Sequence, residues 1–360
     1  MRETLEIAAG LVLILLVIYD LFQSVILPRP APRKFAFVRR LLRVMWRFWR
    51  WLGEKMDSQP RRESWLATFG PIGVLTMFSV WAMVLVLGYA LIVDGVRNEI
   101  KPPPSSFGTS LYFSAGTLVP LSYGDYVPEG VPARLVTVAE SLSGVFLAAL
   151  AITLLFSLNE SFQRREELVV QLDAVAGAPP NGIQILETTA QRGMGEELSR
   201  IFVEWRAWAA AVLESHLAYP LLFWFRSSHD NEAWLNSFGA VMDAAVLMMS
   251  TVDDGPEGPA RLMFTVGNHL VEDLSWLFGY SRLDDPIVER SEFEQAWSRI
   301  SKAGYRCYAA DEAWTQFAHL RGKYASQLNQ LARNLSIIPA QWIGDRTYLP
   351  HRNRPGRKLR

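Results

Sequence analysis

Cysteine is almost missing from this chain, whose 360 residues include one, Cys307. A single thiol excludes an intrachain disulfide and any centre built from several cysteines. Nothing beside Cys307 suggests an activated nucleophile, so it reads as an ordinary buried residue. Histidine is scarce too. His216, His229, His269, His319 and His351 are scattered, without the spacing that metal ligation needs. Asp253, Asp254 and Glu257 read as a solvated turn rather than a divalent-cation loop. No strand, Gly-rich turn and helix occur in series, and Gly193-Met194-Gly195 is too short to cradle a phosphate. No nucleophile–base arrangement is evident, so the chain does not read as an enzyme. No cofactor, metal site or nucleic-acid partner is expected.

Net charge is also lacking, because 36 Lys and Arg balance 36 Asp and Glu. The balance hides a strong asymmetry. Eleven basic residues and two acids lie between Arg29 and Arg62, whereas Glu160 to Arg333 carries an excess of nine acids. The end is basic again, with Arg352, Arg354, Arg357, Lys358 and Arg360. It reads as a disordered tail able to touch anionic lipid.

Apolar residues come in three long runs. The first, from about Ile7 to Leu27, is broken by Asp20. The second, Trp65 to Val93, has no charge. The third, Val136 to Leu158, is interrupted only by Glu140. Each meets the ~20-residue length that a ~30 Å hydrocarbon core requires. Glu6 precedes the first run and no small-residue cleavage site follows it, so it reads as a retained helix rather than a signal peptide. Positive charge stays on the cytoplasmic side. That rule puts Arg29 to Arg62 inside, the loop between runs two and three outside, and everything after Leu158 in the cytoplasm. A multi-pass protein of the cell (inner) membrane is the expectation.

Within the basic stretch, Arg39, Arg40, Arg43, Arg47 and Arg50 share an arc of about 100° on a helix. Phe37, Leu41, Val44, Met45, Phe48, Trp49 and Leu52 take the rest of the circumference. A basic stripe beside a Trp/Phe/Leu face describes a helix lying in the membrane interface, with lipid headgroups of negative charge as partners. Asp20, inside an apolar run, is expected to pair with an interfacial Arg or a polar neighbour.

The segment between the second and third runs carries the most information. Lys101 to Pro104 is Lys-Pro-Pro-Pro, which opposes helix. Ser105 or Ser106 then caps a short apolar helix over Phe107 to Thr117. About three turns cannot span a bilayer, but they suit a re-entrant helix buried against protein. Pro120, Gly124 and Pro128 forbid regular helix after it. Irregular backbone at membrane depth survives only where it is buried or lines a water-filled cavity.

Ser110-Leu111-Tyr112-Phe113-Ser114-Ala115 resembles the pore helix of bacterial potassium channels. Tyr123-Gly124-Asp125 followed by Pro128 resembles the end of that family's selectivity filter. Ala133-Arg134-Leu135, then Glu140-Ser141-Leu142-Ser143-Gly144, is similar to its inner helix. The resemblance covers Ser106 to Phe156. It implies backbone carbonyls that replace the ion's hydration shell, four loops per filter, and hence a homotetramer. The filter would be Pro120, Leu121, Ser122, Tyr123 and Gly124, supported by Thr117, Asp125 and Glu140, with Gly144 as a gating hinge or a close-packing point. Potassium is the implied permeant ion. Three positions depart from the family, which has Thr, Val and Gly where this chain has Pro120, Leu121 and Ser122. Pro120 keeps a carbonyl but offers neither hydroxyl nor N–H. Ser122 brings a Cβ to a left-handed position, at ~1–2 kcal/mol. A weakly selective cation channel, and a non-conducting scaffold or sensor that keeps the pore fold, therefore stay open beside the potassium channel.

The remainder is patterned as helices over Glu196–Leu217, Ala233–Ser250, Ala260–Leu277, Pro286–Ala303 and Ala309–Leu335. The expected fold is an all-α membrane protein of three transmembrane helices and one re-entrant pore loop, plus a cytoplasmic helical domain. Its parts are a first transmembrane helix (1–28), a basic interfacial helix and loop (29–64), a pore domain (65–160), the cytoplasmic domain (161–340) and a basic tail (341–360).

Overall fold

A computed structural model describes residues 1–26, 37–121, 123–227 and 233–337. Ser122 of the expected filter, the first part of the basic loop and the basic tail lie outside the described residues. The chain forms two compact units. One comprises Met1–Lys55 with Thr68–Glu160, and the other Met56–Ala67 with Ser161 onward.

The first unit begins with α1 (Arg2–Leu21), continued by one π turn, Phe22–Ile26. Next come α2 (Phe37–Glu54) and, belonging to the second unit, α3 (Gln59–Ala67). α4 (Phe69–Gly95) is apolar all round, as expected of a helix with no water on any side. A two-residue strand β1 (Ile100–Lys101) pairs antiparallel with β2 (Val127–Pro128), so the fold is nearly rather than wholly all-α. The pair exists because the chain doubles back around α5 (Phe107–Leu118) and its two ends must meet.

α6 runs from Val131 to Ala176, far beyond the expected Val136–Leu158. Apolar length measured only its membrane part. The polar continuation, rich in Glu, Gln and Arg, has no Gly or Pro until Gly177 and so has no reason to stop. Among the described residues, three helical stretches are long and apolar enough to cross a membrane: Arg2–Val25, Gln59–Gly95 and Val131–Ala176.

α1 packs along α4 through small residues. A Cβ on Gly10 would overlap the Gly88 carbonyl, and one on Gly88 would come within 3.1 Å of the Gly10 carbonyl. Such close backbone approach is how membrane helices gain van der Waals contact. Asp20, 5% exposed, is bound by the Trp81 indole N–H of α4 at 2.9 Å and the Phe37 amide at 2.9 Å. Its partners are thus an indole and the first amide of α2.

In the second unit α7 (Gly182–Gln191), α8 (Gly195–Ala218), α10 (Glu257–Phe278) and α12 (Ala310–Gly322) pack on α9 (Trp234–Thr251). Nearly every residue of α9 is buried, so it forms the bundle's core. α11 is Arg290–Lys302. The single helix expected over Ala309–Leu335 is two, because α12 ends at Gly322 and α13 (Ala325–Asn334) restarts beyond the fully buried Tyr324. Tyr324 donates to Asp243 of α9, which also holds Arg321 at 2.9 Å. Cys307 is only partly buried; burial pushes its thiol up, which keeps it a poor nucleophile. Asp253 of the acidic turn pairs with Arg306 at 2.8 Å.

Candidate functional site

α5 starts where Ser106 Oγ accepts from the Thr109 amide at 3.3 Å. Its apolar face joins Phe113 to Val93, Ile100 and Ala133 in one buried cluster. Its polar face carries hydroxyls four residues apart. Ser110 donates to Asp94 of α4 at 2.9 Å, and Asp94 is 2% exposed. Ser114 lies against the Val86 carbonyl at 2.9 Å and against Glu140 of α6. Glu140 is fully buried, and its Oε2 finds no partner among the described residues. At the end of α5, Ser141 donates to the Thr117 carbonyl at 3.1 Å. Tyr89 of α4 and Ser143 of α6 share a 2.8 Å hydrogen bond. Glu99 closes the far side by accepting from the Ala133 amide at 3.1 Å, near the start of α6.

α5 is therefore fixed to both long helices by buried hydrogen bonds. Each is more costly to break than a surface bond, because water cannot replace the lost partner. Asp94, Ser110 and Ser114 were not singled out from sequence. The signal existed: Ser106, Ser110 and Ser114 recur every four residues on an otherwise apolar helix, and such a stripe demands polar partners.

The loop after α5 is tethered by the Leu121 amide, which donates to the Gly116 carbonyl at 2.8 Å. Gly124 has φ of 78°, in the left-handed region that glycine enters freely. Leu121 and Tyr123 are exposed. Tyr123 stacks on Tyr112 of α5 with ring centroids 6.2 Å apart, and Tyr112 and Asp125 line the same cavity. A cavity of about 190 Å³ lies behind this loop, lined by Thr117, Pro120, Asp125, Thr137 and Ser141 among others. Thr117 and Asp125 thus share one cavity, while Glu140 does not line it and lies against Ser114. Gly144 lies inside unbroken α6. A Cβ there would overlap the Leu118 carbonyl, so the missing side chain lets the end of α5 touch α6.

α2 divides into three faces. Val38, Leu42 and Trp46 are buried, with Trp46 against Phe69 of α4 at 5.0 Å. Arg40, Arg43 and Arg47 occupy a second, exposed face, and Arg50 is half-buried with Glu54 at 3.5 Å. The side chain of Arg39 lies outside the described residues. The third face is exposed and apolar: Phe37, Val44, Phe48 and Trp51.

A family model described as "Ion channel" matches residues 74–161, from within α4 through α5 and its loop into α6. The chain is 21% identical over 202 residues to the uncharacterized membrane protein YdjJ of Bacillus subtilis (strain 168), covering 55% of this chain and 58% of that one. It is 30% identical over 106 residues to protein LctB of Geobacillus stearothermophilus, covering 25% of this chain and 78% of that one. The chain thus spans less than two thirds of the first relative's length. No solved structure matches it.

Proposed function

Because this chain belongs to the ion-channel family, we propose that four copies assemble in the cell membrane and pass cations, potassium foremost, through a filter to which each copy gives one loop. The observation that carries this reading is the loop's construction. A left-handed Gly124 follows a short helix bound to both neighbours, while Leu121 and Tyr123 stay exposed. A filter must present its carbonyls away from its own subunit, where they can replace the ion's hydration shell. Residues 120–124 would supply those carbonyls, Thr117, Asp125 and Glu140 would hold them from behind, and Gly144 would set how α6 moves against α5.

Assembly is supported by α6. Leu135, Val138, Leu142, Val145 and Phe146 are exposed along it, and one loop per chain cannot close a ring. α2 would lie in the cytoplasmic interface, with Phe37, Val44, Phe48 and Trp51 in the acyl boundary and Arg40, Arg43 and Arg47 at anionic headgroups. The second unit would be cytoplasmic.

A second reading, a weakly selective cation pore, rests on Pro120. It lines the cavity behind the loop, yet brings no hydroxyl to an innermost ion site and no N–H to brace it. One experiment separates these readings. Protein shown to be tetrameric is reconstituted in liposomes, and the reversal potential is read in mixed potassium and sodium. A value near the potassium equilibrium potential supports the first reading, and a value near zero supports the second. Absence of any flux sinks both and leaves a non-conducting scaffold.

A further inference from the structure

The chain crosses between its two compact units at Lys55–Met56, Ala67–Thr68 and Glu160–Ser161. The last two crossings matter most. One leads into α4 and the other falls inside α6, and these are the two helices that flank α5. Just before the first of them the second unit holds Glu63 on α3; just after the other it holds Arg165 and Glu166 on α6. All three side chains converge on one short stretch, Phe225–Ser227, which follows the turn Pro220–Trp224.

Arg226 reaches Glu63 with one arm of its guanidinium and the Leu335 carbonyl with the other, at 2.7 Å. Arg165 is 1% exposed. Its guanidinium donates to the Phe225 carbonyl at 2.6 Å and the Leu222 carbonyl at 3.1 Å, and pairs with Glu166 at 2.9 Å. Ser227 donates to Glu166 at 3.2 Å and accepts from the Trp234 amide at 3.0 Å, which ties the stretch to the start of α9. Three consecutive residues therefore contact the residues beside both crossings, and they do so through charged groups buried deeply enough to resist screening.

A buried guanidinium cannot easily exchange partners, because it cannot be deprotonated and water is not at hand. Phe225–Ser227 also has no helical repeat of its own to absorb a displacement. We propose that Phe225–Ser227 is a clamp through which the second unit positions the entry to α4 and the continuation of α6 past Glu160 together. A shift of this stretch would then reach both helices around α5 at once. The consequence for conduction rests on the channel reading above; the clamp itself does not.

The test is amide hydrogen exchange on the full-length protein in lipid nanodiscs, comparing wild type, Arg226→Gln and Arg226→Lys. Loss of the Glu63 partner is expected to speed exchange about tenfold in residues 59–67 and also in residues 161–170, although Arg226 does not touch the latter. Arg226→Lys, which keeps a positive charge for Glu63, should fall between in both segments. Faster exchange in 59–67 alone overturns the clamp. The same variants in flux assays should shift the fraction of time the pore conducts. A wild type without flux would count against the channel reading, while the exchange result would still decide the clamp.

Discussion

Ser114 of α5 and Glu140 of α6 meet through their side chains in a buried contact, and Ser114 is Glu140's partner there. The Ser114 hydroxyl also lies 2.9 Å from the Val86 carbonyl of α4, so one side chain joins three helices. An ionisable residue inside an apolar span persists only with such a partner. Ser114→Ala should leave both Glu140 oxygens without a partner, since Oε2 has none among the described residues. The expected loss of stability is about 1–3 kcal/mol. Replacing both groups, Ser114→Ala with Glu140→Leu, should recover most of it, because nothing polar is then left unpaired. Thermal unfolding of the three proteins in the same detergent decides the matter, and a double variant less stable than the single one would contradict it.

Gly144 and Gly124 should both resist alanine, for different reasons. At Gly144 the added methyl meets the Leu118 backbone, and overpacking of this kind costs about 1–3 kcal/mol. At Gly124 nothing lies within 4 Å of the added Cβ, but φ of 78° penalises any side chain by roughly 1–2 kcal/mol. Asn tolerates the left-handed region best of the larger residues. Gly124→Asn should therefore be milder than Gly124→Val, while at Gly144 the order should follow size alone, with Ala least harmful. Melting temperatures of the Ala, Asn and Val variants at each of the two positions provide the comparison.

The three apolar runs were legible because membrane crossing is a property of length and composition, which a sequence states directly. The caps and breaks around α5 were legible for the same local reason, through Ser106 and the prolines. Other features depended on what meets what in three dimensions. The run Val136–Leu158 gave no sign of where α6 stops, because its polar continuation is equally helical and only Gly177 ends it. Asp94 sits one residue beyond an uncharged run and looked like its boundary; only its pairing with Ser110 makes it part of the site. β1 and β2 are two residues each, too short for any alternation to register. The contacts of Phe225–Ser227 with Arg165, Glu166 and Glu63 join residues 60 to 163 positions apart, a separation that no local pattern encodes.

Asp20 offers a third expectation. Its two oxygens serve the Phe37 amide at the start of α2 and the Trp81 indole of α4, each at 2.9 Å. Loss of a helix-start acceptor costs about 0.5–2 kcal/mol, and here a buried indole N–H is orphaned as well. Asp20→Ala should destabilise more than Asp20→Asn, which keeps one acceptor. Trp81→Phe should remove most of the difference between those two variants, because the indole that distinguishes them is gone. Denaturation monitored by circular dichroism tests the order, and equal effects of Ala and Asn with Trp81 in place would refute it.

His216 predicts a pH dependence confined to one residue. It is buried in the second unit, with Nδ1 2.9 Å from the Val212 carbonyl and Nε2 3.4 Å from the Arg165 guanidinium. Arg165 can only donate, so Nε2 must accept and Nδ1 must carry the proton, which fixes a neutral tautomer. Burial, then the Arg165 charge, lowers its pKa from 6.5 to about 3, against a small opposing effect of the Val212 hydrogen bond. Below pH 6.5 the unfolded chain takes up a proton that the folded one refuses. Stability is therefore complete above pH 6.5 and falls as pH drops from 6.5 toward about 3. The slope is about 1.4 kcal/mol per pH unit, or roughly 2 kcal/mol lost by pH 5. His216→Gln keeps an acceptor for Arg165 and a donor for Val212 but does not titrate in this range. Other groups titrate as well, so the informative quantity is the difference between wild type and variant. That difference should widen in the variant's favour by about 2 kcal/mol between pH 7.5 and pH 5 in urea unfolding of the full chain. A constant difference across that range would mean that His216 takes up its proton equally in the folded and unfolded chains, and would overturn the reading.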